Sequence, residues 1–107
     1  MSQDNNNWIE VLPVEDIPDN DVFPYQVAGR DIAIYGVDGQ VYASDNLCTH
    51  GHARLSDGFM EGCEIECPLH QGKFDVRNGL PTCAPATEAI KIYPVRIENG
   101  QVLLQID

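Results

Sequence analysis

Two short segments, each with one cysteine and one histidine, constrain this chain more than any other feature of its sequence. They are Cys48-Thr49-His50 and Cys67-Pro68-Leu69-His70, and sixteen residues lie between them. Two thiolates and two neutral imidazoles are ligands that soft and borderline metals prefer. We therefore predict that the fold brings the two segments together, as two loops that share a metal site.

The identity of the metal depends on how the four donors are distributed between the segments. A single zinc ion could take two cysteines and two histidines in a closed tetrahedral structural site. Zinc fingers usually take both cysteines from one segment and both histidines from another, whereas each segment here is mixed. A mixed pair favours two metal atoms, as in a 2Fe-2S cluster in which two histidines replace two cysteines on one iron. Zinc remains the alternative.

The spacing resembles the signature of Rieske proteins, which is Cys-x-His, sixteen residues and Cys-x-x-His. The flanks Asp45-Asn46-Leu47 and Gln71-Gly72-Lys73-Phe74-Asp75 are similar to those of Rieske-type ferredoxins. Those ferredoxins belong to bacterial aromatic ring-hydroxylating dioxygenase systems, and the similarity is closest to the naphthalene dioxygenase and salicylate hydroxylase group. The resemblance extends from Trp8 to the end of the chain.

The resemblance implies a ligand set and a function. Cys48 and Cys67 would bind the inner iron of one Rieske-type 2Fe-2S cluster, and His50 and His70 would bind the outer iron. Such irons have no open position for a substrate, so we expect an electron carrier rather than an enzyme. The family implies a soluble one-electron carrier between a flavin-containing NAD(P)H-dependent reductase and a terminal Rieske oxygenase in aromatic hydrocarbon degradation.

Two other functions remain open from the sequence alone. A zinc-stabilised interaction module without a redox role would be colourless, whereas a Rieske protein is red-brown. A Rieske-like small subunit of nitrite reductase would copurify with a large catalytic chain. This second alternative is disfavoured because all four ligands are present, and some of those subunits lack them.

Length and charge limit the size of the protein and the class of its partners. The 107 residues suffice for one domain with a modest core. Seventeen acidic against six basic residues give a formal charge of -11, which argues against nucleic acid as a partner. The charge is suited to docking on basic protein surfaces, although it could simply keep the protein soluble.

The ends and apolar segments of the chain bear on its location. Residues 1–7 are polar and lack the basic region of a signal peptide. No stretch approaches the about 20 apolar residues of a membrane span. We therefore expect a cytoplasmic protein with no membrane contact, and we expect it to be a monomer.

Several reactive or charged residues lie near the predicted ligands without belonging to them. We expect Cys63 and Cys83 to be free thiols, buried or half-buried, rather than a disulfide. His52 is expected at the surface or next to a ligand, not as a ligand itself. Half of the basic residues lie near the loops and would tune docking or balance carboxylates: Arg54, Lys73 and Arg77, with Asp57, Glu61, Glu64 and Glu66.

The resemblance to Rieske proteins makes four positions informative about the reduction potential. In the high-potential Rieske proteins of cytochrome bc complexes, two of these positions form a disulfide and two supply hydroxyl donors to the sulfurs. They are occupied here by Ala53 and Leu69, and by Gly72 and Phe74. Fewer donors leave the reduced cluster less stabilised, so we expect a potential near the lower end of the Rieske range, about -150 mV.

The remaining sequence predicts an all-β fold. Apolar runs rich in β-branched residues alternate with turns, and Asp38-Gly39 and Asn99-Gly100 are strong two-residue hairpin signals. No segment up to Ser44 has a helical period. Pro24 predicts an edge position or an irregular start for its strand. The predicted strands are residues 8–12, 22–27, 31–37, 40–44, 59–60, 63–66, 73–76, 90–98 and 101–106, which places both ligand loops at hairpin tips.

The resemblance implies how these strands are assembled. It predicts the Rieske fold, which is an antiparallel β-sandwich base with an inserted cluster-binding subdomain. The chain would form one domain over residues 1–107, with the cluster-binding part at about residues 45–86 and the base at 1–44 and 87–107. Ala84-Pro85-Ala86 occupies the place of a proline-containing loop that covers the cluster in the family, and an ordinary connection is the alternative.

Overall fold

Antiparallel strand pairing organises the chain in this computed structural model. The structure describes residues 8–49, 53–69, 71–84, 86 and 88–106. The strands are β1 Trp8–Pro13, β2 Asp21–Val27, β3 Arg30–Val37, β4 Gln40–Asp45, β5 Phe59–Glu61, β6 Glu64–Glu66, β7 Lys73–Asp75, β8 Pro81–Cys83, β9 Ile92–Tyr93, β10 Val95–Glu98 and β11 Gln101–Gln105. Two short 3-10 turns, Val14–Asp16 and Leu55–Asp57, are the only helical segments in these ranges. The prediction of an all-β fold is confirmed.

The strands form three sheets. The first has the order β1-β11-β10, the second β2-β3-β4-β9 and the third β5-β6-β7-β8. The four strands of the third sheet follow β4 and precede β9 in the chain, so this sheet is inserted between two paired strands of the second sheet. The first and second sheets share one hydrophobic core and form the predicted antiparallel sandwich.

The central strand β3 is buried on both faces. Ile32 and Ile34 pack in the core shared with the first sheet. Ala33 and Tyr35 point to the opposite face, as alternate residues of a strand do, and pack in a second core with Phe74 of the third sheet. Burying one large apolar side chain stabilises a fold by about 1.5 to 3 kcal/mol. β3 therefore joins the sandwich to the third sheet, which explains its uninterrupted apolar sequence.

The two predicted hairpin turns are confirmed by their backbone conformations. Asp38 and Gly39 have φ angles of 51° and 80°, and Asn99 and Gly100 have φ angles of 52° and 77°. Positive φ at both central residues is the type I′ turn, whose twist matches that of the flanking strands. Asn, Asp and Gly adopt this region at low cost, which is why these dipeptides predict the register correctly.

The predictions for two segments near the prolines were wrong. Residues 90–98 were expected to form one strand, but the strand ends at Pro94: β9 pairs with β4, and β10 pairs with β11 in a different sheet. Proline has no N–H for the ladder, so the chain changes sheets there. No strand was predicted at residues 81–83, but they form β8. This is an edge strand, where Pro81 is tolerated. Pro24 also lies in an edge strand, β2, as predicted.

Candidate metal centre

The first ligand loop, residues 48–53, is closed by backbone pairing on both sides. The Cys48 N–H donates to the Ala53 carbonyl at 3.0 Å, and Leu47 forms an antiparallel bridge with Arg54. One residue further out, the Leu55 N–H donates to the Asn46 carbonyl at 2.7 Å. We call residues 46–47 and 54–56 the loop neck. The prediction of a hairpin tip at Cys48 is confirmed only in part, because an isolated bridge and not a pair of strands closes this loop.

The second ligand loop, residues 67–72, connects β6 to β7. The Cys67 N–H donates to the Gly72 carbonyl at 2.8 Å, and the Gln71 N–H donates to the Cys67 carbonyl at 2.9 Å. Gln71 has a φ of 63°, in the left-handed region that few non-glycine residues adopt. The chain therefore reverses within a few residues and returns directly into the sheet, so Cys67 lies at a hairpin tip as predicted.

The two predicted cysteine ligands lie in one buried core. Cys48 is 1% exposed and Cys67 is fully buried, and both pack in the cluster that contains Tyr35, Leu55 and Phe74. Neither cysteine forms a disulfide. Two sulfur donors that two loops supply to one core suit an iron ion that requires two thiolates. The described residues therefore fit the sulfur half of the predicted site.

The imidazole half of the site lies outside the described residues. This applies to both predicted ligands, His50 and His70, and also to His52. Within the described ranges, no group of three or more His, Cys, Asp and Glu side chains could hold a metal ion. The four-residue ligand set consequently stays a prediction. Leu47 and Leu69, which precede Cys48 and follow Cys67 in sequence, are 56% and 54% exposed, so the described surface around the loops is partly apolar.

A hydrogen-bond network at the loop neck was missed by the sequence analysis. The Asn46 side chain is completely buried and bonds to Asp31 of β3 and to Ser56 on the other side of the neck. Arg54 makes two bonds to the Asp31 carboxylate, at 2.9 and 3.0 Å. Its hydrogen bond holds the pKa of Asp31 below the ordinary value, against the opposing effect of burial. The sequence signal that could have pointed to this network is the position of Asn46, two residues before the predicted ligand Cys48.

The three basic residues near the loops pair with carboxylates. Arg54 pairs with Asp31 rather than with one of the carboxylates closer in sequence. Lys73 pairs with Glu61 at 3.1 Å, which agrees with the predicted role of balancing nearby carboxylates. Two bonds join Arg77 to Asp75, at 2.8 and 3.0 Å. Such exposed pairs contribute little to stability, typically below about 1 kcal/mol.

The two additional cysteines are free thiols, as predicted. Cys63 is half-buried and packs against the core that contains the ligand cysteines. Cys83 is exposed, which corrects the prediction of a buried or half-buried side chain. Cys83 ends the edge strand β8, which pairs with β7 alone among the strands that the structure describes.

The segment predicted to cover the site is partly described. Pro85 lies outside the described residues, but Ala86 is buried in the same core as the two cysteines. The Thr49 hydroxyl, in the first ligand loop, donates to the Glu88 carbonyl at 2.9 Å. The chain after β8 is therefore held against the first ligand loop, as a covering segment requires.

Comparisons with known proteins agree with this geometry. A family model of the Rieske [2Fe-2S] domain matches residues 7–94. The ferredoxin component of the naphthalene 1,2-dioxygenase/salicylate 5-hydroxylase systems of Ralstonia sp is 57% identical over 101 residues, which cover 94% of this chain and 97% of the relative. No helix in the described ranges is long and apolar enough to cross a membrane.

Two solved structures share the fold of the whole domain. The ferredoxin of carbazole 1,9a-dioxygenase from Nocardioides aromaticivorans IC177 superposes with a TM-score of 0.91 and 31% identity, covering 95% of this chain and all of that one. A chain from the complex of reduced oxygenase and oxidized ferredoxin in carbazole 1,9a-dioxygenase superposes with a TM-score of 0.87 and 34% identity, covering 94% of each chain.

Proposed function

The chain belongs to the Rieske [2Fe-2S] domain family, and from this premise we propose that it is a one-electron carrier of an aromatic-ring dioxygenase system. The single observation that carries the proposal is the burial of Cys48 and Cys67, as thiols outside any disulfide, in one core where two loops begin. His50 and His70 complete the proposed ligand set. One Rieske-type 2Fe-2S cluster is the cofactor, and the protein is an electron carrier rather than an enzyme.

The surroundings of the donors suit a carrier. When bound, a Rieske cluster supplies a reversible one-electron couple. Cys48 and Cys67 anchor the proposed site from the core and keep water away from the sulfur side. His50 and His70 follow these cysteines by two and three residues in the same loops. The imidazoles would form the side of the site from which electrons enter and leave.

A terminal oxygenase is the proposed electron acceptor. The matching complex contains an oxygenase and a ferredoxin, and the Ralstonia relative is a ferredoxin component of dioxygenase systems. Leu47 and Leu69 supply exposed apolar side chains beside the ligands, where an interface needs a few desolvated contacts. A small, short-lived interface suits a shuttle that must leave after each transfer.

The donor, location and domain organisation belong to the same proposal. A flavin-containing, NAD(P)H-dependent reductase would deliver the electrons, and the formal charge of -11 favours encounter with basic surfaces of either partner. We place the system in the cytoplasm and expect the carrier to be a monomer. Residues 1–107 would act as one Rieske domain, with the cluster-binding part at about residues 45–86.

Electron paramagnetic resonance of the dithionite-reduced protein tests the proposal. We expect a red-brown protein with two irons per chain and an average g value below that of an all-cysteine 2Fe-2S ferredoxin, because imidazoles replace two thiolates. A colourless protein with one zinc per chain would instead support the interaction module. A signal typical of four thiolate ligands would remove the histidines from the ligand set.

The reduction potential gives a second test, centred on Phe74. We expect a midpoint of about -150 mV for the natural sequence and a higher value for Phe74→Tyr. Phe74 is fully buried in the core of the ligand cysteines, and by resemblance its position carries the hydroxyl donor of high-potential Rieske proteins. A hydrogen bond to a charged acceptor contributes about 1.5 kcal/mol, which corresponds to about 60 mV for one electron.

Phe59→Tyr is the matched control for this change. Phe59 lies in the same sheet but is 63% exposed, so the added hydroxyl faces water and the midpoint should stay where it is. Protein-film voltammetry measures all three proteins under identical conditions. A midpoint above zero for the natural sequence, or equal midpoints for Phe74→Tyr and Phe59→Tyr, would contradict the assignment of this position.

A further inference from the structure

The carboxylate of Asp31 joins the sandwich base to both sides of the loop neck. Its Oδ1 accepts from the Asn46 amide at 3.2 Å and from Arg54 at 3.0 Å, and its Oδ2 accepts from Arg54 at 2.9 Å. The backbone carbonyl of Asp31 also accepts from the Asn46 N–H, at 3.1 Å. Asn46 precedes Cys48 by two residues, and Arg54 follows the loop on the other side. One residue of β3 therefore fixes the entry and the exit of the first ligand loop.

The Asn46 side chain connects the two sides directly. Its amide nitrogen donates to the Ser56 hydroxyl at 2.9 Å, and its oxygen accepts from the Ser56 backbone N–H at 2.8 Å. A backbone N–H can only donate, so this bond determines which end of the amide faces Ser56. Both amide hydrogens and the oxygen of Asn46 are thus used. A buried polar group that loses its partners costs about 1 to 3 kcal/mol. Any other orientation of the Asn46 side chain would therefore destabilise the fold.

This network exceeds what closing a surface loop requires. Within the described ranges only Ser44 and Asn46 are buried polar side chains. The backbone pairing of the neck already exists through Leu47, Arg54 and Leu55. A further set of bonds that ends two residues from Cys48 restricts rotation of the neck relative to β3, and thereby the direction in which the cysteine enters the core.

We propose that Asp31 and Asn46 are positioning residues for the metal centre: through the neck they hold the first ligand loop in its ligating conformation and slow the release of the cluster. This inference rests on the proposed function and deepens it, because neither residue binds iron. Partners that orient metal ligands typically change metal affinity by about 10- to 100-fold when they are removed. The corresponding effect here is on cluster retention and on ligand geometry.

The variants Asp31→Asn and Asn46→Ala test the proposal in the cluster-loaded protein. We expect the visible absorbance to be lost about tenfold faster than in the natural protein when an iron chelator is added. We also expect broadened or shifted g values in the reduced protein. Ser56→Ala removes one acceptor and keeps the backbone bond to Asn46, so its effect should be smaller but in the same direction.

The matched control is Asp75→Asn, which makes the same chemical change in another bidentate Asp–Arg pair. Arg77 binds Asp75 at 2.8 and 3.0 Å. Asp75 is the last residue of β7, however, whereas the second ligand loop joins the first residue of this strand. Its cluster should be lost within about twofold of the natural rate, with unchanged g values. Circular dichroism in the same samples reports whether global unfolding precedes cluster loss.

The outcomes separate a positioning role from a general effect on stability and from no role at all. Equal rates and equal g values in Asp31→Asn, Asn46→Ala and Asp75→Asn would overturn the proposal. So would faster cluster loss that only follows unfolding, because that describes general stability. If Asn46→Ala does not fold, Asp31→Asn and Ser56→Ala decide the question. Absence of a Rieske signal in the natural protein would instead refute the proposed function.

Discussion

A Cys48→Ser variant is expected to purify without the red-brown colour and with almost no iron. Cys48 is 1% exposed and packs among apolar side chains, so water cannot easily replace its sulfur. A serine hydroxyl is a harder and poorer ligand for a 2Fe-2S cluster than a thiolate. Metal binding and folding are coupled in small domains, so the protein should also unfold at a lower temperature. Visible absorption and iron analysis measure the loss.

The same result is expected for Cys67→Ser and for His70→Ala, because Cys67 is a proposed sulfur ligand and His70 a proposed nitrogen ligand. Cys63→Ser is the matched control: the residue is a free cysteine against the same core, but it is half-buried and outside the two loops. His52→Ala serves the same purpose for the histidines. Both controls should keep the visible spectrum. Loss of the spectrum in Cys63→Ser would mean that the ligand set has been assigned wrongly.

The chemistry of the site could be predicted from the sequence because it depends on local spacing. Cys48 and Cys67 each lie in a segment whose spacing matches the family of the 2Fe-2S cluster, and no long-range information is needed to recognise that spacing. The hairpins at Asp38-Gly39 and Asn99-Gly100 were predicted for a similar reason, since their positive φ angles limit the residue types at two adjacent positions. Such features can be recognised within a window of a few residues.

The features that the sequence did not reveal depend on contacts between distant segments. Arg54 pairs with Asp31, 23 residues away, although carboxylates lie much closer in the chain. The position of Asn46 two residues before Cys48 marks this residue, but only the fold shows that its side chain is fully buried between β3 and Ser56. Pro94 interrupts residues 90–98, but only the positions of β4 and β11 show that the chain changes sheets there. Tertiary packing determined each of these outcomes.

Gly58 illustrates such a contact and leads to the second large prediction. A Cβ atom at this position would lie 2.0 Å from the Glu66 carbonyl oxygen, a distance at which the backbone must move. Its φ of -93° is available to any residue, so the approach of the two chain segments, not the conformation, requires glycine. Gly58→Ala should therefore destabilise the protein by about 3 kcal/mol. For a domain of this size, that lowers the unfolding temperature by about 12 °C or more.

Gly62→Ala provides the control for this substitution. An added Cβ there meets nothing within 4 Å, and only the φ of +61° opposes it, which costs about 1 to 2 kcal/mol. Gly58→Ala should lower the unfolding temperature further than Gly62→Ala in scanning calorimetry.

The two variants should also differ in iron content, because Glu66 immediately precedes Cys67. Movement of the Glu66 carbonyl carries the second ligand loop with it, whereas Gly62 lies in the turn between β5 and β6. We therefore expect substoichiometric iron in Gly58→Ala and a full complement in Gly62→Ala. Equal unfolding temperatures and iron contents would show that β6 can yield at Glu66 without displacing Cys67, and that the close approach at Gly58 does not determine the position of the ligand.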